Sequence, residues 1–421
     1  MTNLSSLPGF SSGSSGGGGG SSDLPQILLD SPTLIDETSF YIEGGGDYNR
    51  QSSETYQAFN SLAADGVFAG LFDPWRGANN TAKVIACSFK VDPSNGSIGN
   101  PDRHTMWNHS DGDTFSTCHF GAVGNMVMLI GHCRNPSHGS TYKGTCWGAS
   151  FNSSGNHTSS GYGEAPWEAW PHSNGDLAMG ANSVNGTIYG RRSTYNSNNS
   201  TYYHNNHYWN GSSINRAEWS NPSSSTSTNY CQGCAKSSKD DLEPGGMIHW
   251  QQSGTYRAQQ IYGPGATKGS ELTGLRQNDS YASFHLSNGE RLFFYEGMVV
   301  IGQTNGNLSI STTAVPNAGF LQLMNNKGSH MRTCIPTKNT DEWIMAANEN
   351  LGFLRIKIDI NNNYAISVEQ VYYSLAWTYA SNFSHSGKCL GLVGSNDEYL
   401  VTTDVRNGRA VIKTFTNPFA A

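Results

Sequence analysis

The sequence predicts an all-β protein, a β-propeller of seven blades with a flexible Gly/Ser-rich N-terminal arm. Seven apolar, strand-like segments recur along the chain, and each is followed by a short polar or Gly-containing turn and a second strand-like segment. Almost no helix signal lies between these hairpins. A repeat of roughly 40–50 residues with several strands per unit is typical of a propeller.

The seven predicted hairpins begin 45 to 70 residues apart. Their first strands are VFAGLF (67–72), MVMLIGH (126–132), DLAMGAN (176–182), GMIHWQQ (246–252), RLFFYEG (291–297), EWIMAAN (342–348) and EYLVTTD (398–404). Their second strands are KVIACSFKV (83–91), TCWGASF (145–151), TIYGRRS (187–193), YRAQQIY (256–262), LSISTTAV (308–315), FLRIKIDI (353–360) and RAVIKTF (409–415). The 49 glycines suit such a chain, because glycine adopts the positive φ of tight turns without strain.

Residues 1–23 form a separate unit ahead of a propeller domain over 24–421. A short apolar cluster of Leu4, Leu7, Pro8 and Phe10 precedes a Gly/Ser tract that behaves as a flexible tether. We interpret the unit as an anchoring arm that docks on another subunit. An ordinary disordered end or an engineered linker is the alternative.

The segment SFYIEG (39–44) is predicted to pair with the last blade, 398–415, and so to close the disc. Closure by an N-terminal strand removes a sheet edge that otherwise promotes aggregation.

The longest interval between predicted hairpins contains a polar and aromatic segment, 194–243, which we interpret in part as a long inserted loop. His204, His207, Cys231 and Cys234 lie in it with the pair spacing of a tetrahedral zinc site. If present, this zinc is structural, because protein ligands fill all four positions. The alternative is two surface histidines beside a disulfide or free thiols.

Aromatic residues cluster in Gly/Asn/Ser-rich stretches of the same region. Exposed aromatic rings flanked by amides are suited to bind a glycan or a protein, whereas buried ones wedge between blades. The candidate contact residues are Trp167, Trp170, Tyr202, Tyr203, Tyr208 and Trp209.

Five histidines precede predicted strands, and they either ring the central channel or form local hydrogen bonds that fix turns. They are His119, His172, His285, His330 and His385.

Composition excludes several classes of function. The formal net charge is −7 and no basic run is present, which argues against nucleic-acid binding. No apolar stretch is long enough for a transmembrane helix. The eight cysteines are interpreted as reduced thiols, several of them buried in strands.

No catalytic motif is found, so the sequence favours a protein that is not an enzyme. Glu164, Glu168 and Asp111 leave open a carbohydrate-active enzyme on the same fold, since glycosidases use two carboxylates across a cleft. A cellular scaffold that binds peptides is a further alternative.

The N-terminal run MTNLSSLPGF with its Gly/Ser tract, and the Asn/Gly/Ser/Tyr-rich all-β body with few charges, resemble virion proteins of tailed bacteriophages of marine and cyanobacterial hosts. The resemblance implies a tail- or fibre-associated structural protein, present in multiple copies on the virion. It further implies assembly in the bacterial cytoplasm, attachment to other virion subunits through residues 1–23, and contact with a glycan or protein of the host surface.

Overall fold

The computed structural model describes the backbone of most, but not all, of the 421 residues. The described residues are 26–28, 32–41, 56–61, 65–73, 82–109, 114–134, 142–164, 179–182, 187–196, 201–217, 229–252, 254–262, 267–275, 282–295, 298–311, 334–346, 353–371, 388–406 and 409–420.

These residues form twenty-nine strands and one short 3-10 helix. Two strands come first: β1 (Gln26–Leu28) and β2 (Leu34–Tyr41). Sheet 1 contains β3 (Tyr56–Ser61), β4 (Val67–Asp73), β5 (Ala82–Lys90) and β6 (Asp102–His109). Sheet 2 contains β7 (Thr114–Val123), β8 (Met126–Arg134), β9 (Tyr142–Phe151) and β10 (His157–Glu164). Sheet 3 contains β11 (Met179–Asn182), β12 (Thr187–Asn196), β13 (Thr201–Trp209) and β14 (Ile214–Ala217).

The remaining strands continue the same pattern. Sheet 4 contains β15 (Asn229–Gly233), β16 (Gly246–Gln252), β17 (Thr255–Tyr262) and β18 (Thr267–Leu275). Sheet 5 contains β19 (Ala282–His285), β20 (Arg291–Tyr295), β21 (Met298–Gly302) and β22 (Leu308–Ser311). Sheet 6 contains β23 (Ile335–Pro336), β24 (Glu342–Ala346), β25 (Phe353–Asp359) and β26 (Ala365–Val371), with the 3-10 helix Ile360–Asn362 between the last two. Sheet 7 contains β27 (Lys388–Val393), β28 (Tyr399–Arg406) and β29 (Arg409–Thr416).

The seven sheets pack side by side in chain order. Consecutive strands within each sheet are antiparallel neighbours. The first strands contact one another from β27 to β3, β7, β11 and β15, as strands around a common axis do. Sheets 4 and 5 are joined by a bridge between Ala235 and Phe284, sheets 5 and 6 by a shared core, and sheets 6 and 7 by β23, β24 and β27. The predicted all-β propeller class is thereby confirmed. The blade number of seven remains a prediction, with which the seven described sheets agree.

The predicted closing strand is confirmed, although it begins earlier than expected. β2 pairs antiparallel with β29 at the outer edge of sheet 7, with Ser39 opposite Val411 and Phe40 opposite Ala410. Lys413 Nζ lies 3.0 Å from Glu37 Oε2 across the pair. The sequence predicts an extended segment in LPQILLD (24–30), which contains β1; this strand adds a fifth, parallel strand to the outer edge of sheet 6.

The predicted hairpins correspond to the second and third strands of their sheets in five repeats. They correspond to the first and second strands in the third repeat, and to the second and fourth strands in the fifth repeat, where β21 lies between the two predicted segments. The segment 176–182 contains β11, the first strand of sheet 3, whereas the equivalent second strand is β12. Since β12 begins at Thr187, nearly midway between the starts of β8 and β16, this one-strand shift explains the uneven predicted spacing.

The segment 194–243 is in part strand, as predicted, because β13 and β14 are the outer strands of sheet 3; the first strand of sheet 4, β15, was not predicted within it. The segment contains the end of β12, all of β13, β14 and β15, and a connection that starts after Gly233. Its polar composition reflects outer strands and turns, where solvent-facing positions do not need apolar side chains.

Tryptophans fill the wedges between sheets. Trp147, Trp209, Trp250 and Trp343 are fully buried and lie on sheets 2, 3, 4 and 6. The ring of Trp343 lies 4.7 Å from that of Phe284 in the core shared by sheets 5 and 6. Large rings suit these positions because they fill the widening space between two sheets that diverge from the axis.

Glycine turns between third and fourth strands lock one sheet onto its neighbour. Gly306 has φ +86° and faces the ring of Tyr262 on sheet 4, whose hydroxyl donates a hydrogen bond to Asn305 O at 2.9 Å. Gly96 has φ +75° and faces Tyr399 on sheet 7, whose hydroxyl donates to Ser94 O at 3.2 Å. Here both the left-handed backbone and the close approach require glycine.

We expect Gly306→Ala to lower the free energy of unfolding by about 2–4 kcal/mol. A left-handed alanine costs roughly 1–2 kcal/mol, and its Cβ would overlap the Tyr262 ring, as in overpacking, at about 1–3 kcal/mol. The matched control is Gly254→Ala, because Gly254 has φ +80° and nothing within 4 Å of its Cβ position. Chemical denaturation of both variants measures the difference, and equal losses would show that the contact with Tyr262 is unimportant.

A buried histidine is expected to make the protein sensitive to acid. His249 on β16 is fully buried, bonded through Nε2 to the Tyr295 hydroxyl, and burial lowers its pKa from 6.5 to about 3. The unfolded chain therefore takes up a proton below about pH 6.5 that the folded protein does not. The free energy of unfolding should fall between pH 6.5 and pH 4, by at most about 1.4 kcal/mol per pH unit.

Urea unfolding at several pH values measures this slope, and His249→Gln should reduce it. A residual slope is expected, because burial and the neighbouring His104 also lower the pKa of His157. The pKa of Asp241 contributes only at lower pH, since its stabilisation is lost as the pH falls from about 4 to about 2. An unchanged slope in His249→Gln would contradict the assignment.

Candidate functional site: a segment across one end of the disc

The most distinctive feature of the described structure is the connection between the first two strands of sheet 4. We call residues 234–245 the plug segment. Most of the segment does not pair with a strand, and its backbone forms hydrogen bonds within the segment instead. Cys234 N donates to Gly245 O at 3.0 Å, and Asp241 N donates to Ser238 O at 3.2 Å. The first of these bonds joins the two ends of the segment.

The carboxylate of Asp241 organises the interior of the plug segment. It accepts hydrogen bonds from Ser237 N and Glu243 N, both at 2.8 Å, and from the Ser237 hydroxyl at 3.0 Å. His285 Nδ1, at the end of β19 on sheet 5, lies 2.6 Å from Oδ2. The Asp241 side chain is only 5% exposed.

Burial acts to raise the pKa of Asp241, but the hydrogen bond and charge of His285 and the two amides outweigh it and lower the pKa to about 2. The carboxylate is therefore ionised at neutral pH, and its lone pairs are used to hold the segment.

A buried arginine holds the C-terminal end of the plug segment. Arg291 Nε donates to Pro244 O at 2.9 Å and its Nη2 donates to Glu243 O at 2.7 Å. Burial lowers the pKa of this guanidinium, while Cys234 and the carboxylates of Asp241 and Glu243 oppose the shift. The fork geometry of arginine suits this double contact with consecutive carbonyl groups.

The tip of the plug segment reaches sheets on the other side of the ring. Lys239 Nζ lies 3.2 Å from Asp397 on sheet 7 and 3.9 Å from Asp65, which precedes β4 of sheet 1. Leu242 lies beside the turn of sheet 2, so that a Cβ on Gly124 would come within 3.2 Å of Leu242 Cδ2. Trp343 Nε1 on sheet 6 donates to Lys236 O at 2.6 Å.

A segment of sheet 4 that contacts sheets 1, 2, 5, 6 and 7 must lie across the common axis. The plug segment therefore closes one end of the space between the first strands. It also carries a half-buried lysine, Lys236, whose pKa is lowered to about 8 because desolvation outweighs the attraction of Asp241 and Asp240.

Aspartates in the equivalent loops of other sheets tie neighbours together at the same end. Asp341 accepts from Ser287 N and from the Ser287 hydroxyl, both at 2.7 Å, which joins sheet 6 to sheet 5. Asp397 accepts from Lys338 N at 2.6 Å, which joins sheet 7 to sheet 6. Asp65 accepts from Gly394 N at 3.2 Å, which joins sheet 1 to sheet 7. These carboxylates are structural links between sheets.

The predicted role of Trp209 in glycan or receptor contact is wrong. Its side chain is fully buried between sheets 2 and 3, where it packs so closely on Gly148 and Gly161 that a Cβ on either glycine would overlap it. Tyr208, one residue earlier on β13, is half-buried. Alternation along a strand turns consecutive side chains to opposite faces, which accounts for the difference.

The other predicted contact residues remain predictions. Trp167 and Trp170 lie outside the described residues, and for Tyr202 and Tyr203 only the backbone on β13 is described. Leu4, Leu7, Pro8 and Phe10 also lie outside the described part, as do Glu168 and Asp111 of the enzyme alternative. The backbone of Glu164 ends β10 at the outer edge of sheet 2.

The zinc hypothesis likewise stays untested. His204 and His207 occupy β13 of sheet 3, Cys231 occupies β15 of sheet 4, and the side chains of these three residues are outside the described part. Cys234 forms no disulfide, and burial raises the pKa of its thiol to about 12 despite Arg291 and a hydrogen bond with Ser283. Within the described residues no cluster of three or more His, Cys, Asp or Glu side chains is arranged to hold a metal.

Of the five histidines that precede predicted strands, His285 is the one with a described contact. Its bond to Asp241 fits the alternative of a histidine that fixes a turn. His172, His330 and His385 lie outside the described residues.

A repeated sequence pattern marks the aspartates that link neighbouring sheets. In TDEW (340–343) and NDEY (396–399), an aspartate comes two residues before the aromatic residue at the start of the second strand of its sheet. Asp65 of ADGVF (64–68) occupies the equivalent position in sheet 1. The plug segment has no counterpart of this kind, because its contacts join residues far apart in the chain.

The part of the chain that the structure describes contains no helix that is long and apolar enough to span a bilayer.

Comparison with known proteins places the chain in no family, since no protein-family model and no curated protein sequence matches it. Solved structures with a similar arrangement include the propeller of Dos1, with 8% identity over 91% of this chain and 95% of that one and a TM-score of 0.39. A triple mutant of AofleA from Arthrobotrys oligospora is 10% identical in sequence, and the match covers 80% of this chain and 90% of that one, with a TM-score of 0.34. An α-L-arabinanase of Penicillium chrysogenum is 12% identical in sequence, and the match covers 61% of this chain and 75% of that one, with a TM-score of 0.28.

Proposed function

We propose that this protein is a structural module of a larger particle, a rigid disc that its N-terminal arm attaches to neighbouring subunits. The observation that supports this proposal most is where the arm departs. β1 and β2 are the outermost strands of sheets 6 and 7, so the described part of the chain begins at the circumference of the disc. An arm at the rim can dock elsewhere without covering either end of the axis.

The plug segment adds a second argument. At this end of the disc, the aspartates that link neighbouring sheets are Asp65, Asp341 and Asp397. Asp241 holds the plug segment itself. The side chains of Asp241, Asp341 and Asp397 are buried, and their hydrogen bonds suit a rigid scaffold because satisfied buried polar networks rigidify a fold.

The virion of a tailed bacteriophage is the particle we propose, on the resemblance of the N-terminal run and of the body composition. In this proposal the arm binds other virion subunits through Leu4, Leu7, Pro8 and Phe10. Several copies on one particle would add avidity for a glycan or protein of the host surface. Assembly would take place in the bacterial cytoplasm.

The test is to assemble particles with a chain that lacks residues 1–23 and to count the incorporated copies. The truncated protein should remain folded, because β1 and β2 are retained, but should no longer join the particle. A matched control replaces Leu4, Leu7 and Phe10 by serine while keeping the full tether, and it should fail in the same way. Normal incorporation of both variants would contradict the proposed role of the arm.

A further inference from the structure

Two histidines from neighbouring sheets stack on each other at the outer part of the disc. His104 on β6 of sheet 1 and His157 on β10 of sheet 2 have ring centroids 5.0 Å apart and planes inclined by 23°. The edge of the Phe151 ring contacts His157, with the centroids 5.9 Å apart and the planes inclined by 75°. The pair therefore forms part of the seam between two adjacent sheets.

The strands that carry the pair lie at the edges of their sheets. β6 and β10 are the last strands of their sheets, and each is hydrogen-bonded to a strand on one side only. In the turn directly before β10, Gly155 approaches Val67 and Ser88 so closely that a Cβ would lie 3.1–3.2 Å from their side chains. A force between the rings would act on these two edge strands.

We propose that the outer seam between sheets 1 and 2 is an acid-responsive joint, which loosens when His104 and His157 both become protonated. Neutral imidazole rings can stack face to face, whereas two imidazolium ions at this distance repel each other. This inference goes beyond the proposed function and does not depend on it.

The surroundings offer little to neutralise a second charge. On β6 the neighbours are Asp102, which is exposed so that water screens it, and Arg103, which is itself cationic. On β5, opposite Arg103, lies Cys87, a buried thiol whose pKa is strongly raised by burial. The turn before β10 and the strand itself up to Gly163 carry no carboxylate in their sequence, NSSGNHTSSGYG (152–163).

The state of His157 at neutral pH agrees with this role. Its Nε2 is buried and makes no hydrogen bond. Burial and the neighbouring His104 lower its pKa, while a hydrogen bond with the backbone of Ser159 opposes the shift. The folded seam thus favours a neutral His157, and the repulsion between two charged rings is relieved when the rings separate.

Hydrogen exchange with mass spectrometry tests the proposal on the full chain. Between about pH 7.5 and about pH 5, the protection factors of peptides from β6 and β10 should fall by roughly fourfold, the factor that corresponds to the repulsion of two unit charges 5.0 Å apart in water. Peptides from β18 and β22, at the outer edges of sheets 4 and 5, should change less. Protection factors are used because they remove the intrinsic pH dependence of exchange.

The variant His104→Gln distinguishes the joint from a general effect of acid. His104 is exposed, so this variant should fold. It should keep the protection of β10 at about pH 5, because one imidazolium alone has no like charge beside it. The proposal is overturned if the wild type loses no protection at β6 and β10, or if His104→Gln loses as much as the wild type.

Discussion

Asp241→Ala is expected to lower the free energy of unfolding by about 3–5 kcal/mol, the cost of breaking a buried network by removing one charged partner. The substitution leaves Ser237 N and Glu243 N without their acceptor, and it leaves the His285 ring without the carboxylate beside Nδ1. Each buried group that loses its partner adds a desolvation penalty. The plug segment should lose its order while the seven sheets persist.

Denaturant unfolding measures the loss, and Asp240→Ala is the matched control. Asp240 is the preceding residue in the same segment, but it is exposed, so its replacement should change stability by less than about 0.5 kcal/mol. Similar losses for the two variants would mean that the Asp241 network does not hold the segment.

Trp343→Ala is expected to cost about 3–5 kcal/mol, as large-to-small substitutions of buried aromatic residues do. The indole fills the core shared by sheets 5 and 6, against Phe284, and its Nε1 donates to Lys236 O in the plug segment. Removing it leaves a cavity and an acceptor without its donor. Thermal and urea unfolding would both report the loss.

Trp343→Phe separates the two contributions. Phenylalanine retains most of the apolar volume but cannot donate the hydrogen bond, so it should cost less than Trp343→Ala and still weaken the plug segment. A loss below about 1 kcal/mol for Trp343→Ala would contradict the assignment of this residue to a packed core.

The strands of the fold were predictable because their signals are local. Alternating apolar residues and glycine turns identified the second and third strands of five sheets, and Ser39 and Phe40 of the closing strand were correctly paired with the last sheet. Apart from β11, the first strands of the sheets were missed, and two of them are short and lie in polar surroundings. β23 has only two residues, Ile335–Pro336, and β15 is the five-residue sequence NYCQG.

The candidate site was not predictable in the same way. Lys239 and Asp397 are separated by 158 positions, and nothing in KSSKDDLEP indicates that this polar stretch crosses the axis of the disc. Trp209 was misjudged for a related reason: its neighbours in sequence are Asn and Tyr, but its neighbours in space are Gly148 and Gly161. Tertiary packing, which local sequence does not encode, decided both outcomes.

The plug segment is placed across one end of the disc, and a zero-length carbodiimide cross-link tests this position directly. This reagent joins a lysine to a carboxylate only when the two are in contact. We predict, by mass spectrometry, a cross-link from Lys239 to Asp65 or Asp397. In the same sample, the link between Lys413 and Glu37 serves as the positive control for the closing strand. Formation of the control link while Lys239 is joined only to carboxylates of its own segment would contradict the account.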